Sequence, residues 1–87
     1  MQEKIVTVTN PLGLHATPAA AIVKAANEFA SSIYLQKGLM KVNAKSIMGV
    51  MMLAAGKGTQ LKITAEGVDE TEAIAEMSRL IEHDFSV

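Results

Sequence analysis

Apolar and polar residues alternate in four separate stretches of the chain, and this period of two residues predicts β-strands. They are residues 3–9, residues 33–36, a short strand around Met40 and Val42, and residues 60–66. In the first strand the alternation places Val6 and Val8 on one face. In the fourth strand Thr64 points to the polar side with Lys62 and Glu66. Because each strand has one apolar face, we expect a sheet that buries only one side.

The apolar period changes to three or four residues in three other segments, which predicts α-helices. The first helix covers residues 16–30, with a buried stripe of Ala19, Ile22, Val23, Ala26 and Phe29. The second is a short helix over residues 47–53, followed by Gly56-Lys57-Gly58 as a stop signal. The third follows Asp69, and the spacing of Asp69 and Glu72 resembles a capping box at its start. Its buried stripe is Ala73, Ile74, Met77, Leu80 and Ile81.

The order of elements is therefore β-α-β-β-α-β-α, in one domain over residues 1–87. We expect the α+β class, with a four-stranded antiparallel sheet and three helices on one face. The architecture is an open-faced β-sandwich.

Composition excludes several kinds of function. The formal net charge is −1 and only three residues are aromatic, which argues against direct binding of nucleic acid. The chain has no cysteine and two histidines without ligand spacing, so we expect no metal and no cofactor. The second histidine, His83, is expected to complement the negative end of the last helix. Without a signal-peptide pattern or an apolar run of about 20 residues, we expect a cytoplasmic chain that does not insert into membranes.

The segment around His15 carries the first candidate chemistry. His15 follows an Asn10-Pro11-Leu12-Gly13 turn and precedes Pro18, a residue that suits the first turn of a helix. The unpaired N–H groups of such a helix start attract anions. A neutral imidazole beside them is a nucleophile next to a phosphate-sized site. This pattern indicates a histidine that accepts and donates a phosphoryl group, although an ordinary surface histidine is the alternative.

The second helix is apolar on more than one face. We expect Ile47, Val50, Met51 and Leu53 to fill its inner side, and Met48 and Met52 to be exposed. Methionines that only fill gaps in a small core are the alternative to an adaptable docking surface. Ser46 stands at the N-cap position, where a serine needs no further role. A phosphoserine would also suit that position, because the helix start is positive.

Two motifs together resemble the HPr family, the histidine-containing phosphocarriers of the bacterial phosphoenolpyruvate-dependent sugar phosphotransferase system. The first is Gly13-Leu14-His15-Ala16 with Pro18-Ala19-Ala20, and the second runs from Asn43 to Met51. The resemblance covers essentially the whole chain in length, element order and motifs. The form Lys45-Ser46-Ile47-Met48-Gly49 is similar to that of low-GC Gram-positive bacteria and their relatives.

The resemblance implies a carrier that is not itself an enzyme. His15 would accept phosphate on Nδ1 from phosphorylated Enzyme I and pass it to IIA proteins of sugar permeases. Ser46 would be modified by the ATP-dependent HPr kinase/phosphorylase. The serine-phosphorylated chain would act as corepressor for catabolite control protein A in carbon catabolite repression. The implied partner-binding residues are Thr17, Ala20, Lys24, Lys45, Ile47, Met48 and Met51.

One position departs from the family motif, which has arginine two residues after the histidine. This chain has Thr17 there, and threonine offers one hydroxyl and no charge. Phosphate would then depend on backbone N–H groups at Ala16 and Thr17, with help from the Thr17 hydroxyl. Lys24 lies about two turns further along and is too distant to be a phosphate ligand.

Two functions therefore stay open at this point. The chain is a phosphocarrier through His15, or it is mainly a regulatory HPr relative that is switched at Ser46. A free-standing enzyme ranks third, because one histidine without a carboxylate or metal partner does not complete a catalytic site.

Overall fold

A computed structural model describes residues 1–82 of the chain and confirms the predicted fold class and element order. The elements are β1 (Gln2–Thr7), α1 (Ala16–Ala26), β2 (Ser32–Lys37), β3 (Met40–Asn43), α2 (Ile47–Met52), β4 (Gln60–Glu66) and α3 (Glu70–Glu82). The strands form one antiparallel sheet in the order β1-β4-β2-β3. His83 lies outside the described residues. No helix within residues 1–82 is long and apolar enough to cross a membrane.

The register of β4 places its apolar side chains against those of both neighbouring strands. Leu61 pairs with Val6 of β1, and Ile63 pairs with Leu35 of β2. All four side chains are buried on the face that the helices cover. The helices and their flanking turns add Ile22, Leu53, Met77 and Ile81 to this core. Each such side chain contributes about 1.5–3 kcal/mol, and a slip of one residue would expose the whole strand face.

The other face of the sheet is polar and uncovered by helices. Lys62 pairs with Glu3 at 3.7 Å, and the Lys41 ammonium lies 4.7 Å from the centre of the Tyr34 ring. Thr64 points to this face as predicted, but it is only 6% exposed. It is buried because β4 is an inner strand, so that Glu3 of β1 and Tyr34 of β2 flank Thr64 on its two sides.

Two elements end earlier than the sequence predicted. β1 ends at Thr7 instead of residue 9, although the Val8 N–H still bonds to the Thr59 carbonyl at 2.9 Å. α1 ends at Ala26 instead of residue 30. The Asn27 backbone N–H and side-chain Nδ2 both donate to the Val23 carbonyl, and the next turn tightens. Phe29 still packs partly against the core, so periodicity alone did not reveal the end of the helix.

The prediction that Ile47 and Met51 fill the inner side of α2 is wrong. These side chains are 40% and 46% exposed, whereas Val50 and the following Leu53 are buried. A helix of six residues has fewer than two turns, so only one narrow face can contact the core. Gly49 lies on the inner side, where a Cβ would be 3.2 Å from the Asn43 carbonyl oxygen. The close packing at Gly49 turns Ile47 and Met51 outward.

The predicted capping box of Asp69 with Glu72 is also wrong. The Asp69 carboxylate accepts hydrogen bonds from the Ala30 N–H at 2.8 Å, the Ser31 N–H at 2.9 Å and the Ser31 hydroxyl. The Ser31 hydroxyl, followed by the Ala30 N–H, lowers the pKa of Asp69 below its usual value. Asp69 therefore joins the start of α3 to the segment before β2.

Two buried serines differ in their hydrogen bonding, and they make a matched test. Ser78 is 4% exposed, and within residues 1–82 its Oγ has no hydrogen-bond partner. We predict that Ser78→Ala raises the free energy of unfolding by about 1 kcal/mol, because it removes an unpaired buried hydroxyl from a helix. Ser31 is 1% exposed and bonds to Asp69, so Ser31→Ala should lower the same quantity by about 1–3 kcal/mol. Urea unfolding at one pH measures both; destabilisation by Ser78→Ala would contradict the prediction.

Candidate phosphorylation site

The chain enters α1 through a turn that Asn10 organises. The Asn10 carbonyl accepts a hydrogen bond from the Gly13 N–H at 2.9 Å, and its side-chain oxygen accepts one from the Leu12 N–H at 3.0 Å. Pro11 occupies the second position of this turn, for which its fixed φ is suited. The predicted turn therefore forms, and it sets the direction in which the chain reaches His15.

Residues 13 and 14 lie directly against the segment that follows α2. The Leu14 N–H donates to the Ala55 carbonyl at 2.8 Å. Gly13 has a φ of 70°, and a Cβ on this residue would lie 2.5 Å from the Ala55 carbonyl oxygen. Only glycine fits here, because the position needs both a positive φ and no side chain.

His15 occupies the N-cap position of α1, as predicted. Its backbone is extended, its carbonyl accepts from the Ala19 N–H at 2.9 Å, and its imidazole makes no capping hydrogen bond. The N–H groups of Ala16 and Thr17 have no partner within residues 1–82, and Pro18 has no N–H. The exposed imidazole thus stands beside two open donors at the positive end of an 11-residue helix.

A shallow depression of about 310 Å³ adjoins the imidazole. One side is formed by the approach to α1, and the other by the end of α2 and the segment after it. The lining residues are Leu12, Leu14, His15, Ala16, Met51, Ala54, Ala55 and Gly56. The depression is open to solvent and mostly apolar, and Ala16, whose N–H is open, belongs to its lining.

Sequence reasoning missed the wall formed by residues 54–56. Ala54 adopts a φ of 48°, and its N–H bonds to the Met51 carbonyl at 3.1 Å. The Lys37 ammonium donates to the Leu53 carbonyl at 3.0 Å and lies 3.4 Å from that of Ala54. Gly56-Lys57-Gly58 correctly marked the end of α2, but nothing in the pattern placed this segment beside His15.

Ser46 caps α2 as predicted. Its Oγ accepts a hydrogen bond from the Gly49 N–H at 3.2 Å. Lys45 does not extend freely into solvent, because its ammonium donates to the Phe29 carbonyl at 2.8 Å. The Asn27 side chain also donates to the Lys45 carbonyl, at 3.3 Å. Ser46 is half-buried, and it lies in a segment that is tied to the end of α1.

The other predicted partner-binding residues are exposed. Thr17, Ala20 and Lys24 lie on the outer side of α1. On α2 the exposed residues are Ile47, Met48 and Met51. Met51 lines the depression beside His15, whereas Ser46 lies at the other end of α2, about 7.5 Å away along the helix axis. The structure therefore brings Met51, but not Ser46, into the surroundings of His15.

Within residues 1–82, no group of three histidine, cysteine or acidic side chains could hold a metal ion.

Comparison with known proteins identifies the family. The family model described as "PTS HPr component phosphorylation site" matches residues 2–83. The chain belongs to the HPr family. It is 49% identical over 85 residues to the phosphocarrier protein HPr of Treponema pallidum, covering 98% of this chain and 97% of that protein. It is also 49% identical over 82 residues to the HPr-like protein Crh of Halalkalibacterium halodurans, covering 94% and 98% of the two chains.

A solved member of the HPr family has the same fold. The crystal structure of HPr from Thermoanaerobacter tengcongensis is similar with a TM-score of 0.91 and 49% identity, covering 94% of this chain and 92% of that one. The predicted resemblance to HPr is confirmed. One relative named HPr and one named HPr-like therefore have the same sequence identity to this chain.

The conformation of Ala54 beside His15 yields a prediction on stability. A left-handed φ costs an L-residue about 1–2 kcal/mol. Glycine avoids this cost, but it also makes the unfolded chain more flexible, which offsets part of the gain. Ala54→Gly should therefore raise the free energy of unfolding by about 1 kcal/mol. The matched control is Ala75→Gly on the exposed side of α3, which should lower it by about 1 kcal/mol. Denaturant unfolding of both variants measures the difference, and a loss of stability in Ala54→Gly would contradict it.

Proposed function

We propose that the chain accepts a phosphoryl group on His15 from phosphorylated Enzyme I and passes it to sugar-specific IIA proteins in the cytoplasm. The proposal rests chiefly on one observation. The His15 imidazole is exposed and makes no capping bond, and it stands beside the open N–H groups of Ala16 and Thr17. The names of the HPr relatives as phosphocarrier proteins support it.

The chemistry needs a nucleophile and a place for negative charge. A neutral imidazole nitrogen, Nδ1 by the family resemblance, attacks phosphorus while the bond between phosphorus and Enzyme I breaks. The charge is spread over three phosphoryl oxygens, which the N–H groups of Ala16 and Thr17 and the positive end of α1 stabilise. Attack by a IIA protein then breaks the bond between nitrogen and phosphorus. The chain is a substrate at both steps, so it carries the group without being an enzyme.

The distribution of charge suits acidic partners. Residues 4–65 contain seven lysines and one acidic residue, Glu28, whereas residues 66–82 contain six acidic residues and Arg79. α1 and α2 together contain one lysine, Lys24, and no acidic residue. An acidic protein surface would therefore meet no negative charge on α1 and α2 beside His15, whereas it would be repelled by the acidic residues of α3.

We also propose that Ser46 is a regulatory phosphorylation site for an ATP-dependent kinase/phosphorylase. The hydroxyl already lies at the start of α2, where added negative charge is favourable. The modified chain would keep its fold but would present an anion beside a helix that has no acidic residue. This change favours binding to a partner such as catabolite control protein A, and it disfavours acidic phosphotransferase partners.

A second function is that of a mainly regulatory relative acting through Ser46. Two observations favour it. The first turn of α1 has Thr17 in place of the usual arginine, so no charged side chain stands there. The identity to an HPr-like protein also equals that to an HPr.

Incubation with phosphoenolpyruvate, magnesium and Enzyme I tests the carrier role, with intact mass measured before and after mild acid. We expect one added phosphate that acid removes, and none on a His15→Ala variant. His15→Ala should still be labelled at Ser46 by ATP and the kinase, which a Ser46→Ala variant is not. Failure of the parent to take phosphate from Enzyme I, together with acid-stable labelling at Ser46, would instead establish the regulatory function.

Substitution of Thr17 tests how the phosphoryl group is stabilised. We predict that Thr17→Arg accelerates phosphorylation by Enzyme I by about tenfold. A charged donor should stabilise the transition state by about 1.4 kcal/mol. Thr17→Val keeps the size of the side chain but removes the hydroxyl, so it separates the hydroxyl from the backbone donors. Thr17→Ser keeps the hydroxyl and is the control. Phosphorylation of Thr17→Arg at the parent rate, measured in rapid-quench experiments, would argue against this account.

A further inference from the structure

Half of the six methionines lie together on the exposed side of α2. Met48, Met51 and Met52 are 69%, 46% and 63% exposed. Met48 is three residues from Met51 and four from Met52, so both are its neighbours on the helix surface. We name these residues the α2 methionine cluster. Because Met51 also lines the depression beside His15, the cluster is continuous with the candidate phosphorylation site.

The remaining methionines have different surroundings. Met77 is fully buried in the core, whereas Met40 at the start of β3 is 45% exposed and Met1 is 70% exposed. The chain contains no cysteine, so no thiol competes with the thioethers for an oxidant. The exposed thioethers are therefore the sulfur atoms that a peroxide in solution can reach.

We propose that Met48, Met51 and Met52 form a reversible oxidation site, at which a hydroperoxide switches off docking of phosphotransferase partners. In each reaction a sulfur–oxygen bond forms, the O–O bond of the peroxide breaks, and the peroxide leaves as water or an alcohol. Sulfur loses two electrons and the peroxide gains them. Methionine sulfoxide reductases, one for each epimer, reverse the change: a thiol reductant supplies two electrons and is oxidised to a disulfide, the sulfur–oxygen bond breaks, and the oxygen leaves as water.

The effect on docking follows from the polarity of the sulfoxide. A thioether packs well against an apolar partner surface and adapts to several shapes. A sulfoxide that a partner covers loses its hydrogen bonds to water, and this loss weakens binding. The fold should not change, because α2 is held by the buried Val50 and Leu53 and the cluster faces solvent. This consequence rests on the proposed carrier function, whereas formation of the sulfoxides does not.

The first experiment maps oxidation in the folded full chain. After treatment with hydrogen peroxide, peptide mass mapping should find sulfoxide at Met48, Met51 and Met52, and also at Met1 and Met40. Met77 should remain a thioether until the chain is unfolded in denaturant. Circular dichroism of the treated chain should match that of the untreated chain. Oxidation of Met77 at the same rate as the cluster, or loss of the fold, would overturn the proposal.

The second experiment measures phosphate uptake from Enzyme I, with each chain compared before and after peroxide. We expect the parent to slow roughly tenfold and to recover after treatment with both reductases. Recovery shows that damage to His15 is not the cause, because the reductases act only on sulfoxides.

Two variants assign the effect to the cluster. The triple variant Met48→Leu, Met51→Leu and Met52→Leu should have the same rate before and after peroxide, although Met1 and Met40 still oxidise. Met40→Leu retains the cluster and should slow as the parent does. An unchanged rate in parent chains that carry all three sulfoxides would overturn the switch, and so would slowing of the triple variant. No phosphate uptake by the untreated parent would instead refute the carrier function, and the mapping experiment would still decide whether the oxidation site exists.

Discussion

The site depends on a single close contact between two distant parts of the chain. The bond from the Leu14 N–H to the Ala55 carbonyl joins the residue before His15 to the segment after α2. Gly13 allows this approach, because any side chain there would meet the Ala55 carbonyl oxygen. The contact thus sets the approach to α1 against the segment after α2, and residues of both line the depression beside His15.

The groups available to a phosphoryl group belong mainly to the backbone. The Ala16 and Thr17 N–H groups are open because they begin a helix, and Pro18 lacks an N–H. Such donors are fixed by the helix itself and lose little side-chain entropy when they bind an anion. They provide less charge than an arginine would. In the proposed carrier, Lys24 would be the side-chain charge of α1 that attracts an acidic partner.

The short helix α2 joins the two sites that the family resemblance assigns. Ser46 stands at its start, and Met51 near its end reaches the depression beside His15. Its inner side is narrow because Gly49 packs closely on β3, so most of its apolar side chains face solvent. An apolar helix between the two proposed modification sites is well placed to transmit either proposed change to a docking partner. Chemistry at Ser46, at His15 or at the thioethers would then alter a surface rather than the fold.

The local sequence determined the strands, the buried face of the sheet and two of the helix starts. Alternation at Val6, Leu61 and Ile63 predicted the sheet and its buried face, because side chains of a strand point alternately to its two sides. The Asn10 turn, Pro18 and Ser46 predicted two helix starts, because capping involves residues only a few positions apart. The end of α1 was not predicted, because Phe29 continues the apolar period. The N–H groups of Glu28 and Phe29 already bond to carbonyls three residues earlier instead of four. Tertiary structure alone decided that Ile47 and Met51 face outward, that Asp69 binds Ser31, and that Ala54 stands beside His15. The last two depend on contacts between residues far apart in the chain and the first on the packing of Gly49 against β3, and no local pattern of polarity records such contacts.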